Sequence, residues 1–185
     1  MRLIELTPSV RRDDTVAQLC AEVYGPAAGL TPLIAYTGAV MQWLPNDTAR
    51  VLALVDDQDK LLSVALLVLE LEGQGAELKW LSTPEAKRNR GYATQLIKKL
   101  TASMALKVNT TDAALETWLS TCGFKHWVHR DIGERVGLNR QMREQDATVP
   151  LDENRILRLF KTDPASFERY KDRFVAGVQR FSSYC

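Results

Sequence analysis

Apolar residues in this chain change period as the sequence advances. Arg50 to Val55 and Lys60 to Glu70 are nearly continuous apolar runs flanking the polar Asp56-Asp57-Gln58-Asp59, the pattern of two buried strands joined as a hairpin. Gly73-Gln74-Gly75 then turns the chain into Ala76 to Thr83, rich in β-formers, which predicts a meander of three antiparallel strands. Beyond it the period shifts to that of a helix. Ala93, Leu96, Ile97, Leu100 and Met104 recur at offsets 0, 3, 4, 7 and 11, a stripe that faces a core.

The flanks read in the same way. Met1 to Leu6 predicts a short strand, and Asp13 to Tyr24 a helix with Val16, Leu19, Cys20 and Val23 on one face, ended by Gly25-Pro26. Thr31-Pro32 opens a second helix that Leu44-Pro45-Asn46-Asp47 closes. Leu106 to Val108 predicts a strand, Ala113 to Cys122 a helix capped by Asp112, Phe124 to Val128 a strand and Arg135 to Gln141 its hairpin partner.

Gln145 to Pro150 is polar and reads as a linker. It divides the chain into a domain over residues 1–145 and a helical C-terminal extension over 146–185, with helices at Leu151 to Lys161 and, behind Asp163 as N-cap, Pro164 to Phe181. Phe167, Tyr170, Phe174, Val178 and Phe181 form a stripe on the last helix, which calls for packing on the domain or a homodimer contact.

Composition narrows the classes. The 185 residues are 45% hydrophobic and 25% charged with a net charge of +1, which suits a globular core and argues against nucleic acid as partner. No apolar run reaches a membrane span, and Met1-Arg2-Leu3-Ile4-Glu5 lacks the apolar core of a signal peptide, so a cytoplasmic protein is expected. Cys20, Cys122 and Cys185 are too widely spaced for a metal pair, and His126 and His129 have no cluster of ligands nearby in sequence, so no metal is expected.

The candidate chemistry lies at Arg88-Asn89-Arg90-Gly91-Tyr92-Ala93, between a predicted strand and a predicted helix. The first N–H groups of a helix lack intrahelical partners and carry the positive end of its dipole, so a strand, glycine turn and helix together suit an anion such as a phosphate. The spacing is neither the dinucleotide fingerprint nor a Walker loop.

The passage from Ala76 to Leu100 resembles the acyl-CoA signature of the GNAT superfamily, the acyl-CoA-dependent N-acetyltransferases. Its first motif residue falls on Arg88, its first glycine on Gly91 and its final small residue on Ala93; downstream, Gly123-Phe124 matches the family's Gly-Phe pair. The resemblance extends from Leu52 to about Phe124. It implies an α/β fold with a mixed, mainly antiparallel sheet flanked by helices. It also implies acetyl-CoA as acyl donor, direct attack by a primary amine in a ternary complex, and a small amine or a peptide or protein amine as acceptor.

The resemblance further implies that backbone groups near Leu81 and Thr83 pair with pantetheine. Arg88, Arg90, Gly91, Tyr92, Ala93 and Thr94 would hold the pyrophosphate. Glu77, eleven residues before Arg88, matches the general base of the histone-acetylating branch. Strict alternation groups Glu77 with Lys79 and Leu81, opposite Leu78, Trp80 and Ser82, and leaves its direction open.

Three positions depart from the family pattern or add to it. Leu119 stands where many relatives have a Tyr that protonates the thiolate, and Asp112 where they have Asn, with Asn109 three residues earlier. Cys122 would permit an acyl-cysteine route, although a Cys at a helix end is more often a small buried hydrophobe. Tyr24, Tyr36, Trp43 and Trp80 could line an acceptor pocket or the core. The missing Tyr and the extension keep a second reading open, a non-catalytic acyl-CoA-binding module that regulates a protein partner.

Overall fold

The computed structural model describes residues 1–72, 75–139 and 147–185. Its strands are β1 (Arg2–Glu5), β2 (Ala49–Val55), β3 (Leu61–Leu69), β4 (Ala76–Ser82), β5 (Leu106–Thr110), β6 (His126–His129) and β7 (Arg135–Leu138). Its helices are α1 (Val10–Tyr24), α2 (Thr31–Gly38), α3 (Tyr92–Ser103), α4 (Ala113–Thr121), α5 (Glu153–Thr162) and α6 (Pro164–Phe181). The strands form one seven-stranded sheet in the order β1-β2-β3-β4-β5-β7-β6. Neighbours are antiparallel except β4 and β5, which run parallel. A mixed, mainly antiparallel sheet flanked by helices is the architecture that the apolar pattern and the resemblance imply.

Several boundaries shift. Helix α1 begins earlier than the periodicity predicts because the Ser9 hydroxyl accepts the Arg12 N–H and caps it. Helix α2 runs on as a wider π turn over Ala39–Trp43. The predicted strand at Phe124 to Val128 is displaced to β6, because Phe124 is fully buried as part of the core and not of the ladder. Of Arg135 to Gln141, β7 ends at Leu138, and residues 140–141 lie outside the described residues, as do Gly73, Gln74 and residues 145–146 of the linker. The capping positions hold: Asp112 accepts the Ala114 and Leu115 N–H groups, and Asp163 accepts that of Ser166.

The two faces of the sheet carry separate cores. Val51, Ala53, Val64, Leu66 and Val68 point toward α1, α2 and the C-terminal helices. Leu54, Ala65, Leu67 and Leu78 point toward α3, which brings Leu96, Ile97 and Leu100, and toward α4, which brings Leu119. The near-continuous apolar runs of β2 and β3 follow from burial on both faces. Buried Asn139 fastens the end of α3, accepting the Leu106 N–H at 2.6 Å and donating to the carbonyls of Thr101 and Met104 at 3.0 Å each.

The extension shares the first core. Tyr170 and Phe181 are buried there, and the Phe174 ring lies 5.5 Å from that of Tyr36. Helix α6 crosses α1 closely at Gly177, where an added Cβ would meet that of Ala17 at 2.9 Å. Buried Asp14 of α1 accepts two bonds from the Arg180 guanidinium, at 2.7 and 2.8 Å, and one from the Tyr184 hydroxyl at 2.8 Å. The aromatic stripe is thus covered within its own chain. Among the described residues, no helix is long and apolar enough to cross a membrane.

Candidate active site

The parallel pairing of β4 with β5 runs from Ala76↔Leu106 to Leu78↔Val108 and stops. Beyond it β5 pairs only with β7, while β4 continues to Ser82 against β3. Among the described residues, the peptide edge of β4 from Lys79 onward therefore has no strand partner on its β5 side. Ordinary ladders leave few such groups in an interior, so an open edge inside a sheet is a place for another extended polar chain to pair.

At the end of β4 the chain makes a tight turn into α3. Asn89 and Gly91 both take left-handed backbone conformations, with φ of 60° and 77°. Gly91 is the N-cap of α3, and no side chain caps it. A Cβ at Gly91 would meet nothing within 4 Å, so the space in front of these N–H groups is open. A cleft of about 390 Å³ lies there, lined by Leu81, Thr83, Arg88, Gly91, Tyr92, Ala93 and Thr94 together with Lys87, Asn89 and Trp118.

Those first seven are positions that the motif singles out; the last three are not. Arg90 is exposed on the same turn but does not line the cleft. The Arg88 guanidinium is already engaged, donating to the Thr83 carbonyl at 3.1 Å and pairing with Glu22 of α1 at 3.3 Å. Arg88 thus fastens the turn to α1. Glu22 also accepts a bond from Gln18 at 2.6 Å and one from the Ser82 hydroxyl. Nothing in the local sequence marks Glu22, because its partners come from a turn far along the chain.

A β-bulge decides where Glu77 points. The register runs Val68↔Glu77, Leu67↔Leu78 and then Leu66↔Trp80, so Lys79 has no opposite number. Glu77 and Trp80 consequently share the face toward α1 and α2 with Val68 and Leu66, and Lys79, at the bulge, is partly exposed while its ammonium reaches back toward Glu77. The strict alternation that groups Glu77 with Lys79 and Leu81 is corrected by this one extra residue. Leu81, opposite Ala65, packs on the other face.

Glu77 is buried and its carboxylate is held from three sides. Asn109 of β5 donates to Oε1 at 3.2 Å, the Lys79 ammonium lies 3.4 Å from the same oxygen, and Thr148 donates to Oε2 at 3.0 Å. It lines a cavity of about 220 Å³ with Tyr24, Trp43, Trp80, Thr148 and Glu153. A third cavity, about 270 Å³, occupies the seam between the parted strands. It shares Leu81 and Trp118 with the turn cleft and Lys79 and Trp80 with the Glu77 cavity. The three spaces follow one another from Gly91 to Glu77.

The remaining sequence candidates divide between the walls of this course, which Asn109, Trp118 and Leu119 help to line, and the core. Tyr36 is buried against Phe174 with its hydroxyl pushed up to about 12 by that burial, so it belongs to the core. Leu119 is buried among core side chains, and Trp118 beside it points its indole N–H at the Thr94 hydroxyl, 3.1 Å away. Burial pushes the Cys122 thiol up, the opposite of what a nucleophilic cysteine needs. Asp112 serves as a helix cap, and Asn109 is the side chain that reaches the site. Among the described residues no group of three or more potential ligands is placed to hold a metal ion.

No family model matches this sequence, and no curated protein is similar to it in sequence. Solved structures are similar in fold. Tetrahymena GCN5 superposes at a TM-score of 0.55 with 13% identity, covering 80% of this chain and 100% of that one. A histone acetyltransferase HPA2 and related acetyltransferase from Corynebacterium glutamicum gives 0.54 with 12% identity, covering 78% and 99%. An acetyltransferase of the GNAT family from Staphylococcus aureus gives 0.52 with 12% identity, covering 75% and 97%. With its parted β4 and β5 and its glycine turn into α3, this chain has the GNAT fold.

Proposed function

We propose that the protein is an N-acetyltransferase that moves an acetyl group from acetyl-CoA to a primary amine by direct attack. The observation that supports this most is the course of three adjoining cavities from the Gly91 turn, along the open edge of β4, to the Glu77 carboxylate. The turn and the uncapped start of α3 suit the pyrophosphate, with Lys87 adding positive charge. The peptide edge near Leu81 and Thr83, unpaired with β5 although the Thr83 carbonyl already accepts from Arg88, suits the pantetheine amides. The solved structures with the same fold carry acetyltransferase names, which agrees with the reading.

In the reaction, the amine nitrogen attacks the thioester carbonyl carbon and forms the C–N bond. Glu77 accepts the proton that the nitrogen loses, directly or through water. A backbone N–H of β4 stabilises the oxyanion. The C–S bond breaks, and water protonates the departing thiolate, which is weakly basic. Leu119 leaves no Tyr for that last step, and the buried, raised thiol of Cys122 fits no acyl-enzyme intermediate. The expected acceptors are small amines or peptide amines, the expected compartment is the cytoplasm, and neither nucleic acid nor membrane is needed.

Leu119 also favours a second reading, a non-catalytic acyl-CoA-binding module. Titration calorimetry with acetyl-CoA followed by an amine-dependent assay of thiol release separates the two. Micromolar binding with thiol release supports the enzyme, binding without release supports the module, and no binding removes both.

A further inference from the structure

The Glu77 cavity has a composition of its own, and its far wall comes from the C-terminal extension. Three aromatic rings form one side: Tyr24 and Trp80 lie 6.3 Å apart at 75°, and Trp43 and Trp80 5.6 Å apart at 49°. Angled aromatic faces attract a cation and tolerate the methylenes that carry it. Two carboxylates line the same small space. Glu77 is buried at the inner end, and Glu153, in the first turn of α5, is exposed and has no ion pair among the described residues.

Lys79 offsets one of these charges, so two carboxylates against one ammonium leave the cavity with one net negative charge. Its position is informative in another way. An ammonium on an unbranched aliphatic stem already stands 3.4 Å from Glu77 Oε1, as an incoming alkylamine would.

The wall is fixed in place. The Trp43 indole donates to the Val149 carbonyl at 2.9 Å, and Gln42 exchanges two bonds with the Asp152 backbone, at 2.9 and 3.2 Å. Leu151 packs so tightly on α2 that a Cβ at Gly38 would approach it to 2.4 Å. The extension therefore presents Thr148 and Glu153 to the cavity at defined positions.

We infer that this cavity selects, as acceptor, a slender aliphatic primary amine that carries a second positive charge several methylenes away. The inference rests on the acetyltransferase reading for what happens to that amine, but not for its binding. The reacting nitrogen stands at Glu77, the stem lies along the indoles, and the second cation meets Glu153 at the mouth. A sugar amine, with many hydroxyls to satisfy, finds mostly apolar walls.

The test compares 1,4-diaminobutane, butylamine and glucosamine on the full-length protein, by tryptophan fluorescence titration and by thiol release from acetyl-CoA. Diaminobutane should bind at least tenfold more tightly than glucosamine and exceed butylamine. Glu153→Gln should raise KM for diaminobutane about fivefold, more than it lowers kcat, and should erase its advantage over butylamine. Equal binding of the three amines, or an unchanged preference in the Glu153→Gln protein, would overturn the inference even if acetyl transfer occurs. Selective binding of diaminobutane with no thiol release would uphold the cavity's selectivity and remove the acetyltransferase reading instead.

Discussion

Asn109 donates to the carboxylate of Glu77 across the point where β5 parts from β4, at 3.2 Å. Pairing between the strands ends one residue after Glu77, at Leu78↔Val108. The amide of Asn109 therefore holds the carboxylate where the open edge begins. Removing one hydrogen bond to a charged group costs about 1.5–3 kcal/mol. Asn109→Ala should lower kcat by roughly tenfold while acetyl-CoA affinity stays unchanged, which is the split expected of a positioning residue. Asn109→Gln, which keeps the amide, should recover part of the rate. An Asn109→Ala enzyme with wild-type kcat would take Asn109 out of this role.

Gly91→Val acts on the donor side. A branched side chain at φ 77° is strained by about 1–2 kcal/mol, and its Cβ would project into the open space before the helix N-terminus. Calorimetry should show acetyl-CoA binding weakened at least tenfold, with Gly91→Ala in between. Wild-type affinity in both variants would mean that the phosphates sit elsewhere.

Cys122 should be chemically silent. Burial raises its thiol and thereby removes the thiolate that reacts. In a Cys185→Ser background, iodoacetamide near pH 8 should leave the folded protein unmodified at Cys122, by peptide mass analysis, and activity should persist. Rapid alkylation that abolished activity would reopen the acyl-cysteine route.

The extension should be inseparable from the fold. Tyr170 and Phe181 each contribute about 1.5–3 kcal/mol through burial. At about 2–4 °C per kcal/mol in a chain of this size, deleting residues 163–185 should lower Tm by ~10 °C or more and promote aggregation. Arg180→Met, which strips buried Asp14 of its two strongest bonds, should also melt lower, and Asp14→Asn in the same chain should recover part of the loss. Phe174→Asp should unfold the protein at a lower temperature and not merely change its mass by light scattering, since Phe174 packs on Tyr36 of its own chain. A truncated protein of unchanged stability would contradict this packing.

The elements that a local pattern specifies were legible in the sequence. The stripe of Leu96, Ile97 and Leu100 lies fully buried under the sheet, and the caps Asp112 and Asp163 sit where the helices start. The turn at Gly91 was legible because left-handed backbone and a helix start leave a local mark. Long-range placements were not. No local signal shows the bulge at Lys79, which arises from the register with β3 and reverses the expected grouping of Glu77 and Trp80. Glu22 reaches the Arg88 turn and Ser82, and Trp118, Thr148 and Glu153 reach the cavities, only because helices or segments distant in sequence fold against β4. Tyr36 shows the converse, a candidate pocket aromatic that tertiary packing assigns to the core.

The most direct measurement of the central claim is kcat for Glu77→Gln, read as amine-dependent thiol release at saturating acetyl-CoA and neutral pH, with acetyl-CoA affinity measured on the same preparation. A general base contributes 10²-fold or more, and Gln keeps the size and the hydrogen-bonding reach of Glu. The account predicts that kcat falls by about 10²-fold while acetyl-CoA binds as before. A Glu77→Gln protein that turns over at the wild-type rate, with the same dependence on pH, would contradict it.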